Sequence, residues 1–467
     1  MKKRYPLALH IFRRDLRLYD NTALLEALTL SEFVIPCFIF DNRQIEDNDY
    51  KSDNCIQFMV RSLQELNNEL KKRNSKLYFF YGITEEVITK LLNQINIKAV
   101  FVNRDYTPFS RKRDKKIEEI CRDFNINFFS YADSLLHEPE EIVKMDHKPY
   151  TVFSHFLKKA LQLPVQAPHN KSYENYYQKP ILLENKDVLI RLLQCNNPNI
   201  FVKGGRIEAL SLLKTIKNLD NYQDIRNIPS IHGTTKLSAH NKFGTLSIRE
   251  FYYAIVKHFG KKHALVNELH WRDFFTHIAF HYPYVFGESF HNKYKGIHWS
   301  QNKRYFHAWC KGITGFPIVD AGMRELNATG YMHNRVRMIT ASFLTKDLHI
   351  DWRLGEKYFA QKLVDYDPAV NNGNWQWVAS TGCDAQPYFR IFNPWLQQQK
   401  FDPDCLYIKR WIPELAMLPP KTIHGLSKIK NKLKTHYPYP IVDHTLESQK
   451  AKIIFKELVM SRSHDTE

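Results

Sequence analysis

The chain has 467 residues, enough for two or three domains of ordinary size. Apolar residues make up 43% and charged residues 25%, which excludes a disordered or fibrous chain. Lys and Arg number 67 against 49 Asp and Glu, and the resulting +18 favours a polyanionic partner, nucleic acid or an anionic membrane surface.

Up to Tyr131, short apolar runs alternate with amphipathic stretches. Leu7–Phe12, Val34–Phe40, Leu77–Tyr81, Ala99–Asn103 and Asn127–Tyr131 read as five buried strands. Asn21–Leu30, Cys55–Arg73, Glu85–Asn96 and Arg111–Phe124 carry helical spacing, with Thr84 as N-cap before the acidic Glu85 and Glu86. Strands alternating with helices predict a doubly wound parallel α/β sheet over residues 1–131. The turn after the first strand reads FRRDLRLYDN and lacks Gly-x-Gly-x-x-Gly. Such a sheet can hold a ligand at its strand C-termini, but not through a standard NAD fingerprint.

Residues 132–199 form a connector in which Pro139, Pro149, Pro164, Pro168, Pro180 and Pro198 break both periodicities. Beyond Phe201 strand signals fade. Arg206–Asn218, Ile248–Phe259, Lys262–His281, Asp320–Thr329, Asn334–His349 and Arg353–Val364 read as helices. Residues 200–467 are therefore expected to form an all-α domain that ends near Asp443 in a short polar tail. No apolar run approaches the roughly 18 residues of a membrane span, and the N-terminus has no leader pattern. Cysteines 37, 55, 121, 195, 310, 383 and 405 are scattered without a Cys-x-x-Cys pair. They point to a reducing cytoplasm and to no structural metal.

Aromatic residues reach 14%, which suits either an aromatic core or a protein that handles flat ring systems. In NNGNWQWVASTG, a helix would turn Trp375 and Trp377 about 200° apart, so that one indole faces the interior and the other a cavity. Two core aromatics are the plainer alternative, weakened by the polar run Asn371-Asn372-Gly373-Asn374. In ELHWRDFF, Glu268, Trp271 and Phe275 share one helical face, a carboxylate beside flat rings that suits recognition of a base. A solvated amphipathic helix would look similar. In GYMHNRVRM, Asn334 and Met338 share a face while Arg335 and Arg337 diverge, a mixture that suits a phosphate backbone beside an apolar pocket. In HGTTKLS, hydroxyls and a cation gather at a helix start, where phosphate binds readily but where ordinary caps also occur.

Taken together these segments resemble the class I DNA photolyases, within the photolyase/cryptochrome flavoproteins. The matching text includes TGFPIVDAGMRELNATGYMHNRVRMITASFLTKDL, DWRLGEKYF, NNGNWQWVASTGCDAQPYFRIFNP, FRRDLRLYDN, GTTKLS and ELHWRDFF, and spans nearly the whole chain. The resemblance implies an α/β antenna domain followed by a helical domain that holds a U-shaped FAD. It places Tyr222, Thr234, Thr235, Lys236, Leu237 and Ser238 at the cofactor phosphates, with Lys236 where many relatives have Arg. Arg272, Arg337, Asp365 and Asp367 fall around the flavin and its ribose, with an Arg337–Asp365 ion pair, and Asn371 faces flavin N5.

The implied reaction is light-driven: photoexcited FADH⁻ gives an electron to a cyclobutane pyrimidine dimer flipped out of DNA, the ring splits, and the electron returns. Trp271 and Trp377 match the walls around the flipped lesion, and Glu268 would hydrogen-bond its carbonyls. Asn334, Met338, Arg272, Arg335, Phe275 and Gln397 join the expected lesion and DNA contacts. Relatives that repair (6-4) photoproducts carry a His pair in place of Asn334 and Met338, so cyclobutane dimers are the expected substrate. Trp375, Trp352 and Trp299 match a relay of indoles that reduces oxidised flavin, leaving Trp309, Trp395 and Trp411 without a role. Phe109 and Ser110 stand where folate-binding relatives have Asn-Glu, which leaves a folate, a deazaflavin, FMN or no second chromophore open. A cryptochrome-type photoreceptor without repair is the nearest alternative, and a DNA-associated nucleotide-binding protein without photochemistry the more distant one. A monomer in the cytoplasm, with access to DNA, is expected.

Overall fold

The computed structural model describes residues 3–169, 171–185, 187–193, 196–428 and 435–461. Five parallel strands form the N-terminal sheet: β1 (Tyr5–Phe12), β2 (Ser31–Phe40), β3 (Tyr78–Tyr81), β4 (Ala99–Asn103) and β5 (Asn127–Tyr131), in the order β3-β2-β1-β4-β5. Leu9 is paired with Ile35 on one side and Val100 on the other. Alternation along β1 sends Ala8 and Phe12 into one core and Leu9 and Ile11 into another, so helices cover both faces. β5 departs from expectation: it is an edge strand with half-exposed residues rather than a buried one.

Two local devices fix the helix starts. Asn21 accepts from Leu24 N–H and caps Thr22–Leu30, while its amide donates to Asp15. Thr84 is not the N-cap that its hydroxyl suggests. It is the first helical residue, and its N–H and hydroxyl both donate to Asp41 at the end of β2. That long-range acceptor outcompetes the local cap.

The connector contains helices that its proline density hides, Phe153–Ala160 and Val188–Leu192. The first exists because Phe153 and Phe156 pack against Phe274 of the long helix Ala264–His281. Further on, the predicted helix Asn334–His349 is divided: an α-helix runs to Ser342 and a π-turn spans Phe343–Asp347. The expected polar tail is instead a helix, His444–Ser461. His444 pairs with Asp347, Glu447 with His349, and Phe455 lies under the Lys346 ammonium. These partners lie about a hundred residues upstream, where local periodicity carries no trace of them.

The sheet and the helical region are tied together by buried charges. Arg249 binds Asp20 and Asp133, and Arg17 binds Asp133, with all four side chains at most 6% exposed. The described cysteines form no disulfide. Cys195 lies outside the described residues. Among the described residues no helix is long and apolar enough to cross a membrane, and no His, Cys, Asp and Glu group could hold a metal ion.

Candidate functional site

Helix Pro368–Ala379 is the spine of the site. Asp367 caps it, accepting from Ala369 and Val370 N–H, and also pairs with Arg14 from the turn after β1. Pro368 occupies the first turn, where its missing N–H costs nothing. Asn371 and Trp375 point inward at 8% and 3% exposure, while Trp377 is half-buried on the other side. The divergence expected for two residues two apart is present. Asn371 donates its amide to the Glu356 carbonyl at 3.1 Å. Trp375 lies against Gly355, where an added Cβ would sit 2.3 Å from the indole.

Along this inward face the structure forms the Arg337–Asp365 ion pair at 2.9 Å. Arg337 also donates to the Met332 carbonyl, while Asp365 Oδ1 is buried without a hydrogen-bond partner. Tyr222 is buried, and Thr234, Thr235 and Lys236 are half-buried on the loop before Ser238–Phe243. Lys236 adopts a left-handed φ of +57° and lies 5.2 Å over the Phe201 ring. Leu237 occupies the N-cap position without a side-chain cap, and Ser238 opens the helix. Arg272 pairs with its neighbour Asp273, whose burial pushes its carboxyl up to about 6.

The outward rim is assembled by two consecutive residues that sequence reading passed over. Arg226 pairs with Glu268 on helix Ala264–His281, and Asn227 accepts from Arg335 on helix Asn334–Ser342 at 2.8 Å. The Arg335 guanidinium also lies over Phe401, which ends the helix Pro394–Phe401 that carries Gln397. Gln397 Oε1 is buried without a partner. Asn334 and Met338 touch each other, and Met338 and Trp377 pack on the same core cluster. Trp271 shares its face with a partner that sequence reading missed, Phe153, stacked at 3.6 Å and 10°. Phe275 is a correction: it is buried behind Trp271, packed where a Gly373 Cβ would fall 2.1 Å from its ring. It supports the wall rather than lining its surface.

Of the expected indole relay, Trp375 and Trp352 are buried and Trp299 is half-buried, packed beside Phe455 of the C-terminal helix. Trp309, given no role from sequence, lies 6.1 Å from Trp375 and donates to the Thr340 carbonyl. In the N-terminal sheet, a cavity of about 210 Å³ opens at the C-terminal ends of β1 and β2, lined by Arg14, Tyr50, Asp105, Ser110 and Lys242 among others. It lies beside the switch between β1 and β4, the place such sheets reserve for ligands. Phe109 lies outside it, under the Arg43 and Arg113 guanidinium groups.

Comparison with known proteins gives a consistent picture. Residues 8–171 match the DNA photolyase family, and residues 265–457 match the FAD binding domain of DNA photolyase. The deoxyribodipyrimidine photo-lyase of Alkalihalophilus pseudofirmus is 36% identical, covering 95% of this chain and 97% of its own. Among solved structures, an archaeal photolyase from Sulfolobus tokodaii with two FAD molecules is 44% identical, with a TM-score of 0.88 over 97% of this chain and 100% of its own. A bacterial class III photolyase from Agrobacterium tumefaciens is 34% identical, with a TM-score of 0.90 over 98% of this chain and 99% of its own.

The residues present fit FAD. Asp365 Oδ1 is a buried acceptor suited to a hydroxyl, and the Thr234–Ser238 loop offers hydroxyls and a cation suited to phosphates. Asn371, Arg337 and Arg272 add neutral and positive groups beside them.

Proposed function

The chain belongs to the DNA photolyase family, and from that membership we propose that it is a deoxyribodipyrimidine photo-lyase, repairing cyclobutane pyrimidine dimers in DNA under light. The carrying observation is the rim: Arg226 and Asn227 hold Glu268 and Arg335, on two different helices, beside the Trp271–Phe153 ring stack. FAD, once bound and reduced, would supply the light-excited electron for dimer opening. Tyr222, Thr234, Thr235, Lys236 and Ser238 would hold its phosphate end, and Arg272, Arg337, Asp365, Asp367 and Asn371 its flavin and ribose.

The residues divide the remaining work. Trp271 and Trp377 bind the flipped dimer by stacking, which offsets the cost of extruding it. Asn334 and Met338 fill the same pocket with an amide and a thioether. Glu268, in its protonated form, donates to a dimer carbonyl where negative charge develops. Burial raises its pKa, while the ion pair with Arg226 lowers it. Arg335 neutralises backbone phosphate. Trp375, Trp352 and Trp299 carry reducing electrons inward from the surface.

The class I assignment rests on the long ordered motif match. The division at 131 and 199 rests on β5 ending at Tyr131 and the helix Arg206–Thr215 opening the helical region. The β1/β4 cavity is the place we assign to a second, light-harvesting chromophore, a flavin by analogy with the Sulfolobus protein. A cytoplasmic monomer is the working form. The test is the absorption spectrum of the purified protein, followed by blue-light repair of a dimer-bearing oligonucleotide. A flavin spectrum with dimer loss is expected; a flavin spectrum without dimer loss would favour the photoreceptor reading.

A further inference from the structure

A second cavity, of about 420 Å³, lies outside the flavin and lesion sites. That volume falls within the roughly 300–1,000 Å³ of small-ligand sites. Thr151, His291, Lys293, Tyr294, Ser380 and Asp384 are among its walls. Its walls carry one ammonium, Lys293, and one carboxylate, Asp384. Lys293 is exposed, lies 4.9 Å over the Tyr294 ring, and has no carboxylate partner among the described residues. The Asp384 carboxylate is engaged, accepting from Phe153 N–H at 3.0 Å. Thr151 and Ser380 add hydroxyls. His291 contributes a hydrogen-bonding ring rather than a charge, since burial and Lys293 both push its pKa down.

The cavity shares its walls with the lesion pocket. Thr151 and Val152 lead directly to Phe153, whose ring stacks on Trp271. Across the cavity, Gln386 N–H donates to the carbonyl of Trp377. Phe290 N–H donates to Gln376, and His291 N–H to the Thr381 carbonyl. One wall is thus hydrogen-bonded to the helix of Trp377 and the residues just after it, and the other leads to the ring that stacks on Trp271.

We propose that this cavity is a DNA subsite that takes the sugar-phosphate of a nucleotide flanking the flipped dimer, with Lys293 as its phosphate contact and Thr151, Ser380 and His291 as hydrogen-bond partners. The assignment rests on the lesion-repair reading above. A strand whose dimer sits between Trp271 and Trp377 must continue past the pocket rim. A cation without a partner, among hydroxyls, in a recess that adjoins both walls, suits the next phosphate.

The experiment uses the FAD-loaded protein and fluorescently labelled duplexes that carry one dimer, extended on one side, on the other, or on both. Affinity is measured against salt for the wild type, Lys293→Ala and the control Lys295→Ala, whose ammonium already pairs with Glu288. Loss of one phosphate contact makes the slope of log K against log salt shallower by about 0.9. That change is expected for Lys293→Ala on duplexes extended on one particular side, with an unchanged slope on the opposite extension and an unchanged splitting yield at saturation. An unchanged slope on every duplex, or an equal loss on both one-sided extensions, would overturn the subsite. If the wild type itself shows no preference for dimer-bearing duplex, the repair reading fails rather than this one.

Discussion

Single-residue variants separate the proposed lesion contacts from the proposed backbone contacts. Arg335 lies over Phe401 and is oriented by Asn227, at the protein's edge. Arg335→Ala should weaken binding to damaged and undamaged duplex alike, because phosphate contacts carry no lesion information. Trp271→Ala should weaken lesion binding selectively, by about 1–3 kcal/mol for one lost base-stacking partner. Competition titrations with both DNAs check this; equal losses for the two variants would remove Trp271 from the pocket. Glu268→Ala should leave flavin content intact and lower the quantum yield of dimer splitting in part, since the carboxyl supports developing charge without creating it. A yield unchanged at saturating lesion would exclude that role. Arg226 makes this residue less simple than its sequence context suggests, because it holds Glu268 before any DNA arrives.

At the scale of elements, helix Pro368–Ala379 turns its two indoles to opposite sides. Trp375 faces inward with Phe359 and Trp309, and Trp377 faces the rim. Trp299→Phe keeps a ring at a half-buried position but raises the cost of oxidising it. The variant should photoreduce its flavin poorly under steady blue light with thiol, yet split dimers normally after dithionite reduction. Normal photoreduction would place the relay elsewhere, with Trp309 the first candidate for its path. A second element-scale expectation concerns helix Ile248–Phe259, whose Arg249 reaches Asp20 of the sheet domain and Asp133 just beyond β5. Arg249→Ala leaves the buried Asp20 carboxylate without a guanidinium and Asp133 with Arg17 alone. A loss of about 3–5 kcal/mol is expected, read as a lower denaturation midpoint. A midpoint within error of wild type would mean that water replaces the guanidinium.

For the whole molecule, buried titratable groups set an acid limit. Burial pushes Asp273, Asp320 and Asp347 up to about 6 and Glu325 and Glu356 up to about 7. These groups bind protons more tightly in the folded state, so stability rises as pH falls from about 7 towards their unfolded values near 4. Burial lowers His240, His270 and His333 to about 4 and His10 and His277 to about 3. Their contribution is complete above the unfolded value of 6.5 and is lost progressively as pH falls towards 3. Asp133, held down to about 2 chiefly by Arg17 and Arg249 against the cost of its burial, adds stability that is likewise lost below about 4. Between pH 6.5 and 4 the carboxyl and imidazole effects offset each other, and below 4 nothing opposes the imidazoles. Thermal midpoints should therefore vary little from pH 7 to 5 and fall steeply below 4. A steady decline beginning at pH 6.5 would show that the carboxyls do not compensate.

The sequence by itself determined the alternating strands and helices to Tyr131, because runs such as Val34–Phe40 are apolar enough to demand burial on both faces of a sheet. It determined the opposite facing of Trp375 and Trp377, since helical pitch alone fixes that angle. It also determined the Arg337–Asp365 pairing through a resemblance carried by long motifs. Tertiary structure decided what depends on distant partners. Asp41 took Thr84 from its cap, Phe274 made a helix of a proline-bounded connector, and Asp347 with His349 and Lys346 anchored a helix beyond Asp443. Arg226 and Asn227 became rim residues only because two helices converge on that turn. Local sequence encodes periodicity and caps within one or two turns; an acceptor or ring brought from a hundred residues away changes the free energy of a segment without leaving a mark in it.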